Sequence, residues 1–179
     1  MKKLNTPIRI FVGLLFIFSG LIKANDPHGL SYKMQEFFEV WGFDFLNPLS
    51  LFLSLGMNVL EVFAGIAIIV KHLWGNMLSR WTDFLTTDGE KDWRQRDAEF
   101  ENDLISKEEV LTKWNEGWQC LFKAIDQLAA EDLTKEIYIR NQGHTVTEAI
   151  NRQLAHYPYH VGQIVFLGKL LCNTQRKSL

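Results

Sequence analysis

His156 and His160 stand four residues apart in the stretch Ala155–Gln163, AHYPYHVGQ, inside what the surrounding pattern predicts as one long helix. Residues at i and i+4 share a helical face about one turn apart, so both imidazoles can reach a single metal ion. Two ligands rarely suffice, because catalytic zinc sites use three protein ligands and keep a fourth position open. His72, early in the helical stretch KHLWGNMLSRW, is the best-placed third. His144 precedes the last helix as a cap or loop residue, and His28 belongs to a membrane-proximal turn. The competing reading is two half-buried histidines satisfied by hydroxyls such as those of Tyr157 and Tyr159, and no HExxH glutamate accompanies the pair. Spacing alone leaves both readings open. Pro158, between the two histidines, removes one backbone N–H and should kink the helix, which re-aims their rings.

Several elements must position these residues. Thr145 and Glu148 form a capping box that opens the last helix, which runs to about Leu171. Ser106 and Glu109 form another, opening a helix with the apolar stripe Val110, Leu111, Trp114, Trp118, Leu121, Phe122, Ile125 and Leu128. Leu73, Met77, Trp81 and Phe84 or Leu85 recur at helical spacing on the element that carries His72. Asn76 and Arg80 share its face; with Asp83, Tyr157 and Tyr159 they form a second rank of interior hydrogen-bond partners or surface groups, and no general base is identified. TTDGEKDW ends that helix, and RQRDAEFEND reads as a charged, solvated loop. Glu136–Arg140 reads as a short extended stretch with a turn at Asn141-Gln142-Gly143. Gly162 and Gly168 read as small residues that permit close helix packing.

The first part of the chain is of a different kind. Ile8–Ala24 is apolar apart from Arg9 and Lys23 near its ends, where long basic stems can snorkel, so it can just span a bilayer. A signal peptide is the rival reading, although no A-x-A-like cleavage site follows. A second run, Leu49–Val70, begins after Asn47-Pro48 and is long enough for a bilayer helix of about 20 residues. Asn58 and Glu61 lie within it, and an ionisable group at that depth reads as functional; a buried core helix with Glu61 at its rim is the alternative. Between the runs, Asp26-Pro27 and Gly29 read as a turn, and Phe37, Phe38, Trp41, Phe43 and Phe45 among acidic residues read as interfacial. Lys2, Lys3 and Arg9 precede the first run and Lys71 and Arg80 follow the second, which puts both termini in the cytoplasm.

The whole chain, 179 residues with 47% hydrophobic side chains and a net charge of -2, has no basic signature for nucleic acid. Cys120 and Cys172 lack CxxC spacing and fit a reduced setting rather than a disulfide framework.

Two family resemblances attach to these residues. RIFVGLLFIFSGLIKANDPHG, followed by the Glu-containing NVLEVFAGIAII, resembles the DoxX-like membrane family over about residues 1–70, with only two of that family's usual four transmembrane helices present. IAIIVKHLWGNMLSRWTDFLTTDGEKDWRQRDAEFE and EAINRQLAHYPYHVGQIVFLGKLL resemble the DinB-like superfamily over about residues 66–171, in particular its branch of small bacterial proteins. The second resemblance implies an all-α, up-down four-helix bundle holding a divalent metal through three histidines, which fall on His72, His156 and His160. Zn2+ or Ni2+ is the implied ion. Relatives of this kind include metal-dependent thiol S-transferases that use low-molecular-weight thiols, and hydrolases.

The join implies a DoxX-like segment, 1–70, and a DinB-like bundle, 71–179, that lacks its own first helix and follows two hydrophobic, membrane-spanning helices. The vacated groove is filled by an upstream segment or by a second copy in a homodimer. The expected function is a membrane-tethered thiol S-transferase or hydrolase acting on a low-molecular-weight thiol and an electrophilic small molecule. It would sit at the inner membrane with the bundle in the cytoplasm, or wholly in the cytoplasm if the second apolar helix packs in the bundle. The rivals are a non-catalytic membrane protein left by fusion or truncation, and a DoxX-like redox subunit in which Glu61 and Lys23 matter.

Overall fold

The computed structural model describes residues 26–101, 103 and 106–172. Four α-helices and a two-stranded hairpin make up most of this stretch: α1 (Pro27–Trp41), α2 (Ser50–Trp81), α3 (Lys107–Asp126), β1 (Glu136–Ile139), β2 (Gln142–Thr145) and α4 (Val146–Cys172). Short 3-10 turns lie at Asp44–Leu49, Asp97–Phe100 and Ala130–Thr134. The protein is therefore all-α in class, with one small hairpin. The chain divides into two compact units, Met1–Val62 with Gly168–Leu179, and Phe63–Leu167.

In the first unit, α1 starts where the sequence suggested a turn. The Asp26 side chain accepts the Gly29 N–H at 2.9 Å, and Pro27 opens the helix behind this cap. Gly42 ends α1 in the left-handed conformation (φ 74°), the region a residue without Cβ enters cheaply. Ser31 and Gln35 on α1 both hydrogen-bond the Ser50 hydroxyl, at 2.8 and 2.6 Å. Phe37, Trp41, Phe43 and Phe45 are exposed.

Among the described residues one helix, not two, is long and apolar enough to cross a membrane, the stretch Asp44–Trp81 that includes α2. The earlier apolar run, Ile8–Ala24, lies outside the described residues. Only 28% of the most apolar window is buried, and Leu51, Phe52, Leu55, Val59 and Leu60 are exposed, which separates this stretch from the core helix of a soluble domain. Glu61 is exposed as well.

The second unit is packed around the second half of α2. Leu73, Met77, Trp81 and Phe84 meet Leu121 and Ala124 of α3, Ile137 and Ile139 of β1, and Val146, Ala149 and Tyr157 of α4. Phe84 joins this core and Leu85 is exposed, which settles that pair. The stripe on α3 is narrower than its sequence: Val110, Leu121 and Ala124 are buried, while Leu111, Phe122 and Ile125 are exposed. The close helix approach uses Gly117, where a Cβ would lie 3.0 Å from Met77 Sδ and 3.3 Å from the Trp74 Cα; Gly162 and Gly168, read as packing residues, face open space.

Both capping boxes form. The Ser106 hydroxyl accepts the Glu109 N–H at 3.1 Å while Glu109 accepts the Ser106 N–H at 3.0 Å. Thr145 and Glu148 do the same at 3.1 and 2.8 Å. Each cap is worth about 1 kcal/mol. The extended stretch after α3 becomes a hairpin, with Ile137 opposite His144 and Ile139 opposite Gln142. Its turn falls on Arg140 and Asn141, both at positive φ (56° and 59°). The Asp88 carboxylate holds that turn by accepting the N–H of Arg140 at 2.8 Å and of Asn141 at 2.7 Å.

Candidate metal centre

α2 and α4 bring three histidines together. One ring nitrogen from each of His72, His156 and His160 lies within 4.8 Å of the other two, and His156 Nε2 and His160 Nε2 are 3.1 Å apart. The i, i+4 spacing on α4 places its two rings on one face, with centroids 4.7 Å apart and planes almost perpendicular. The helix continues through Pro158 between them. His144 pairs with Ile137 in the hairpin and His28 is exposed on α1, so neither joins the cluster.

Acceptors on the far side of two rings fix which nitrogen faces inward. His72 Nδ1 is 2.9 Å from Glu99 Oε2, and His160 Nδ1 is 2.7 Å from Gln163 Oε1. An ionised carboxylate can only accept, so His72 Nδ1 carries a hydrogen and Nε2 is the ring nitrogen left for the other histidines. This pattern of carboxylate, histidine and converging lone pairs is the one that fixes tautomer and ring orientation at metal sites.

Glu99 is held as firmly as the ring it orients. Arg94 donates through Nε to Oε1 at 2.7 Å and through Nη2 to Oε2 at 3.0 Å. Burial pushes the Glu99 carboxyl upward, but the bonds from His72 and Arg94 outweigh it and hold the group below the usual carboxylate range. The solvated loop expected at RQRDAEFEND is thus corrected: Glu99 is 5% exposed, and Asp97–Phe100 forms a short helix against the site. Phe100 stacks on His72 with ring centroids 5.5 Å apart.

The two histidines of α4 favour the neutral imidazole, the state that can donate a lone pair to a metal. Burial first, then the nearby His160, His72, Arg80 and Arg152, pushes His156 down to about 4. Burial and His72 also lower His160, against the bond to Gln163. Three imidazoles with converging nitrogens, two of them oriented by acceptors, fit a divalent ion of the zinc type.

The second-rank residues divide. The Tyr157 hydroxyl accepts from Trp81 Nε1 at 3.0 Å and donates to Asn76 Oδ1 at 3.1 Å, a buried chain beside the cluster. Burial raises the Tyr157 hydroxyl well above its ordinary range, so it stays protonated. Arg80 and Asn76 are buried on the His72 face of α2, while Tyr159 is exposed and Asp83 lies past the helix end with φ 48°. A cavity of about 290 Å³ opens beside His72 and His156. A larger one, about 420 Å³, lies among Trp81, Phe84, Cys120 and Leu128 and touches none of the histidines.

Residues 54–179 match a family described as a protein of unknown function, DUF1572. That is well over half of the chain. The chain belongs to the DUF1572 family. In this DUF1572 protein residues 1–81 are also similar to a second family, the methylamine utilisation protein MauE. The two matches overlap across residues 54–81, most of α2, so the helix that supplies His72 is shared between them. No curated protein and no solved structure matches the chain. At the level of families, this DUF1572 protein joins a MauE- or DoxX-like membrane segment to a DinB-like helical domain with a three-histidine cluster. Glu99, Arg94 and Gln163 were not singled out from sequence. Gln163 follows His160 by three residues on a helix and was recoverable from spacing; Glu99 lies among five other charged residues in ten and carries no local mark.

Proposed function

We propose that this protein is a membrane-tethered, metal-dependent enzyme, a thiol S-transferase or hydrolase, in which His72, His156 and His160 hold Zn2+ or Ni2+. The observation that carries the reading is the convergence of three imidazoles whose rings are fixed from behind, above all His72 by Glu99 at 2.9 Å. Bound there, a divalent metal supplies Lewis acidity that favours the ionised form of a water or thiol near neutral pH. The chain's own residues do the rest. Glu99 keeps the proton on His72 Nδ1, Gln163 orients His160, and Arg94 keeps Glu99 ionised. Phe100 covers one face of His72 and limits water there. Tyr157 stays neutral and keeps Asn76 in place beside the cavity.

The tether is α2. From Ser50 to Val70 the apolar run is roughly 30 Å long, the thickness of a bilayer's hydrocarbon core. It ends at Lys71, whose ammonium pairs with Asp103 at 2.6 Å, and His72 is the next residue. The basic residues Lys71 and Arg80 that follow the apolar run support a cytoplasmic side for the helical domain, by the bias of Lys and Arg toward that face.

The experiment is turnover by the detergent-purified chain loaded with Zn2+ or Ni2+. The thiol reaction uses cysteine with an electrophilic bimane, and the hydrolytic one uses p-nitrophenyl esters. Turnover lost on chelation and in His156→Ala supports the reading; a metal-loaded chain inert in both reactions contradicts it. The similarity to MauE over residues 1–81 favours a second reading, a membrane protein whose helical domain binds metal without turnover.

A further inference from the structure

The cavity beside His72 and His156 is lined by five arginines: Arg80, Arg94, Arg96, Arg140 and Arg152. Three of them are paired with two carboxylates, Glu99 and Glu90. Arg94 grips Glu99. Arg96 binds both oxygens of Glu90, at 2.8 and 2.5 Å, and Arg140 reaches the same carboxylate at 3.3 Å. Neither Arg80 nor Arg152 has a carboxylate in hydrogen-bond or ion-pair contact among the described residues.

Arg80 is the costlier of the two. It is 4% exposed, and its Nε and Nη1 have no hydrogen-bond partner. Glu90 acts on Arg80 only at a distance, without a contact, so the buried N–H groups of the guanidinium stay unsatisfied, a costly arrangement that a bound anion would relieve. Arg94 Nη1 and Gln153 Oε1 line the same cavity and also lack a hydrogen-bond partner, although Arg94 Nη1 lies 3.7 Å from Glu90 Oε2; Gln153 is 5% exposed. Unsatisfied guanidinium donors of Arg80 and Arg94 thus line the same cavity as His72 and His156.

The helical period explains the layout. On α2, His72, Asn76 and Arg80 recur every fourth residue along one face, and on α4 Arg152 lies one turn before His156. Each metal-type ligand therefore has a cation on its own helix, one or two turns away and facing the same cavity. The turn held by Asp88 brings Arg140 in from the hairpin, and Glu90 ties it to Arg96 as a positively charged rim.

We infer that this cavity binds an oxyanion, the carboxylate or phosphate group of a small substrate, between Arg80 and Arg152, leaving the rest of the molecule toward His72 and His156. Guanidinium groups match both anions because their paired N–H donors meet paired oxygens. At about 290 Å³ the cavity admits a small metabolite-sized group rather than a polymer. This rests on the enzymatic reading for what the histidines do with the substrate, but the anion site itself does not need the metal.

The test is calorimetric titration of the detergent-purified full chain with inorganic phosphate and with malonate. Metal content is measured on the same samples. Saturable binding of at least one anion is expected, with affinity reduced about tenfold or more in Arg80→Gln and in Arg152→Gln. The Arg152 side chain is exposed, so its replacement leaves the fold intact if Arg80→Gln does not. Tighter phosphate binding assigns a phosphate-bearing substrate, and tighter malonate binding a carboxylate. Absence of binding by both anions, or binding unchanged in Arg152→Gln, overturns the inference. Arginine-dependent binding by a chain that holds no metal would keep the anion site and remove the metal reading.

Discussion

Gly75 leaves the space that the Glu99 carboxyl group occupies: a Cβ on Gly75 would lie 2.9 Å from Glu99 Cδ and closer still to Oε1. Gly75 follows His72 by three residues, so the same turn of α2 presents the ring and makes room for the carboxylate that orients it. Glu99 cannot step aside freely, because Arg94 holds both of its oxygens.

Gly75→Ala should therefore displace Glu99 and loosen His72 while preserving all three histidines. Metal affinity is expected to fall about 10–100-fold, the usual effect of losing an orienting partner behind a ligand. Competition with a chromogenic chelator measures it. Unchanged affinity would mean that the carboxylate does not matter to the site.

Glu99→Gln keeps the shape and removes the charge. The amide no longer forces the hydrogen onto His72 Nδ1 and no longer neutralises Arg94, so metal affinity is again expected to drop about 10–100-fold. The same chelator competition, run beside Gln163→Ala, should show the larger loss for Glu99→Gln, since Gln163 is a neutral acceptor.

The metal-free protein should weaken toward acid. His156 is held near 4 when folded but takes up its proton near 6.5 when unfolded, so the unfolded state binds more protons across that window. Stability therefore falls as pH drops from about 6.5 to about 4. Glu99, held below its ordinary value, adds a loss as pH falls through its folded pKa. Thermal midpoints recorded in the presence of chelator between pH 7.5 and 4.5 should decline, less steeply in His156→Gln; equal slopes would count against the neutral, buried imidazole.

Tyr157→Phe removes the hydroxyl between Trp81 and Asn76 and leaves two buried polar groups unpaired. A loss of about 1–3 kcal/mol is expected, read by denaturant unfolding. Metal content should be unchanged, because the hydroxyl touches no ring nitrogen of the cluster.

The long apolar stretch of α2 should resist extraction of the chain from membranes by alkaline carbonate. Val59→Arg, on its exposed apolar surface, raises the insertion cost by about 2.5–3.5 kcal/mol at the middle of a span and should release a measurable fraction. Complete release of the unaltered chain by carbonate would remove the tether from the account.

What was legible in the sequence is what helical periodicity encodes. The i, i+4 pair on α4, the face shared by His72, Asn76 and Arg80, and both capping boxes depend on short-range spacing, and all four recur in the structure. Glu99 depends on a glycine 24 residues earlier and on Arg94 in the same charged stretch, contacts that no local pattern announces. The stripe on α3 overstated the core because an apolar face is buried only as far as neighbours cover it, and Leu111, Phe122 and Ile125 lie past that limit. The small-residue contact came from Gly117 rather than Gly162, since composition alone does not say where two helix axes come closest.

The most direct measurement is elemental analysis of the detergent-purified full chain beside His72→Ala and His156→Ala. The account predicts about one Zn or Ni per chain, lost in both variants, because each removes one of three ligands. No bound metal in the unaltered chain, or metal retained in both variants, would contradict it.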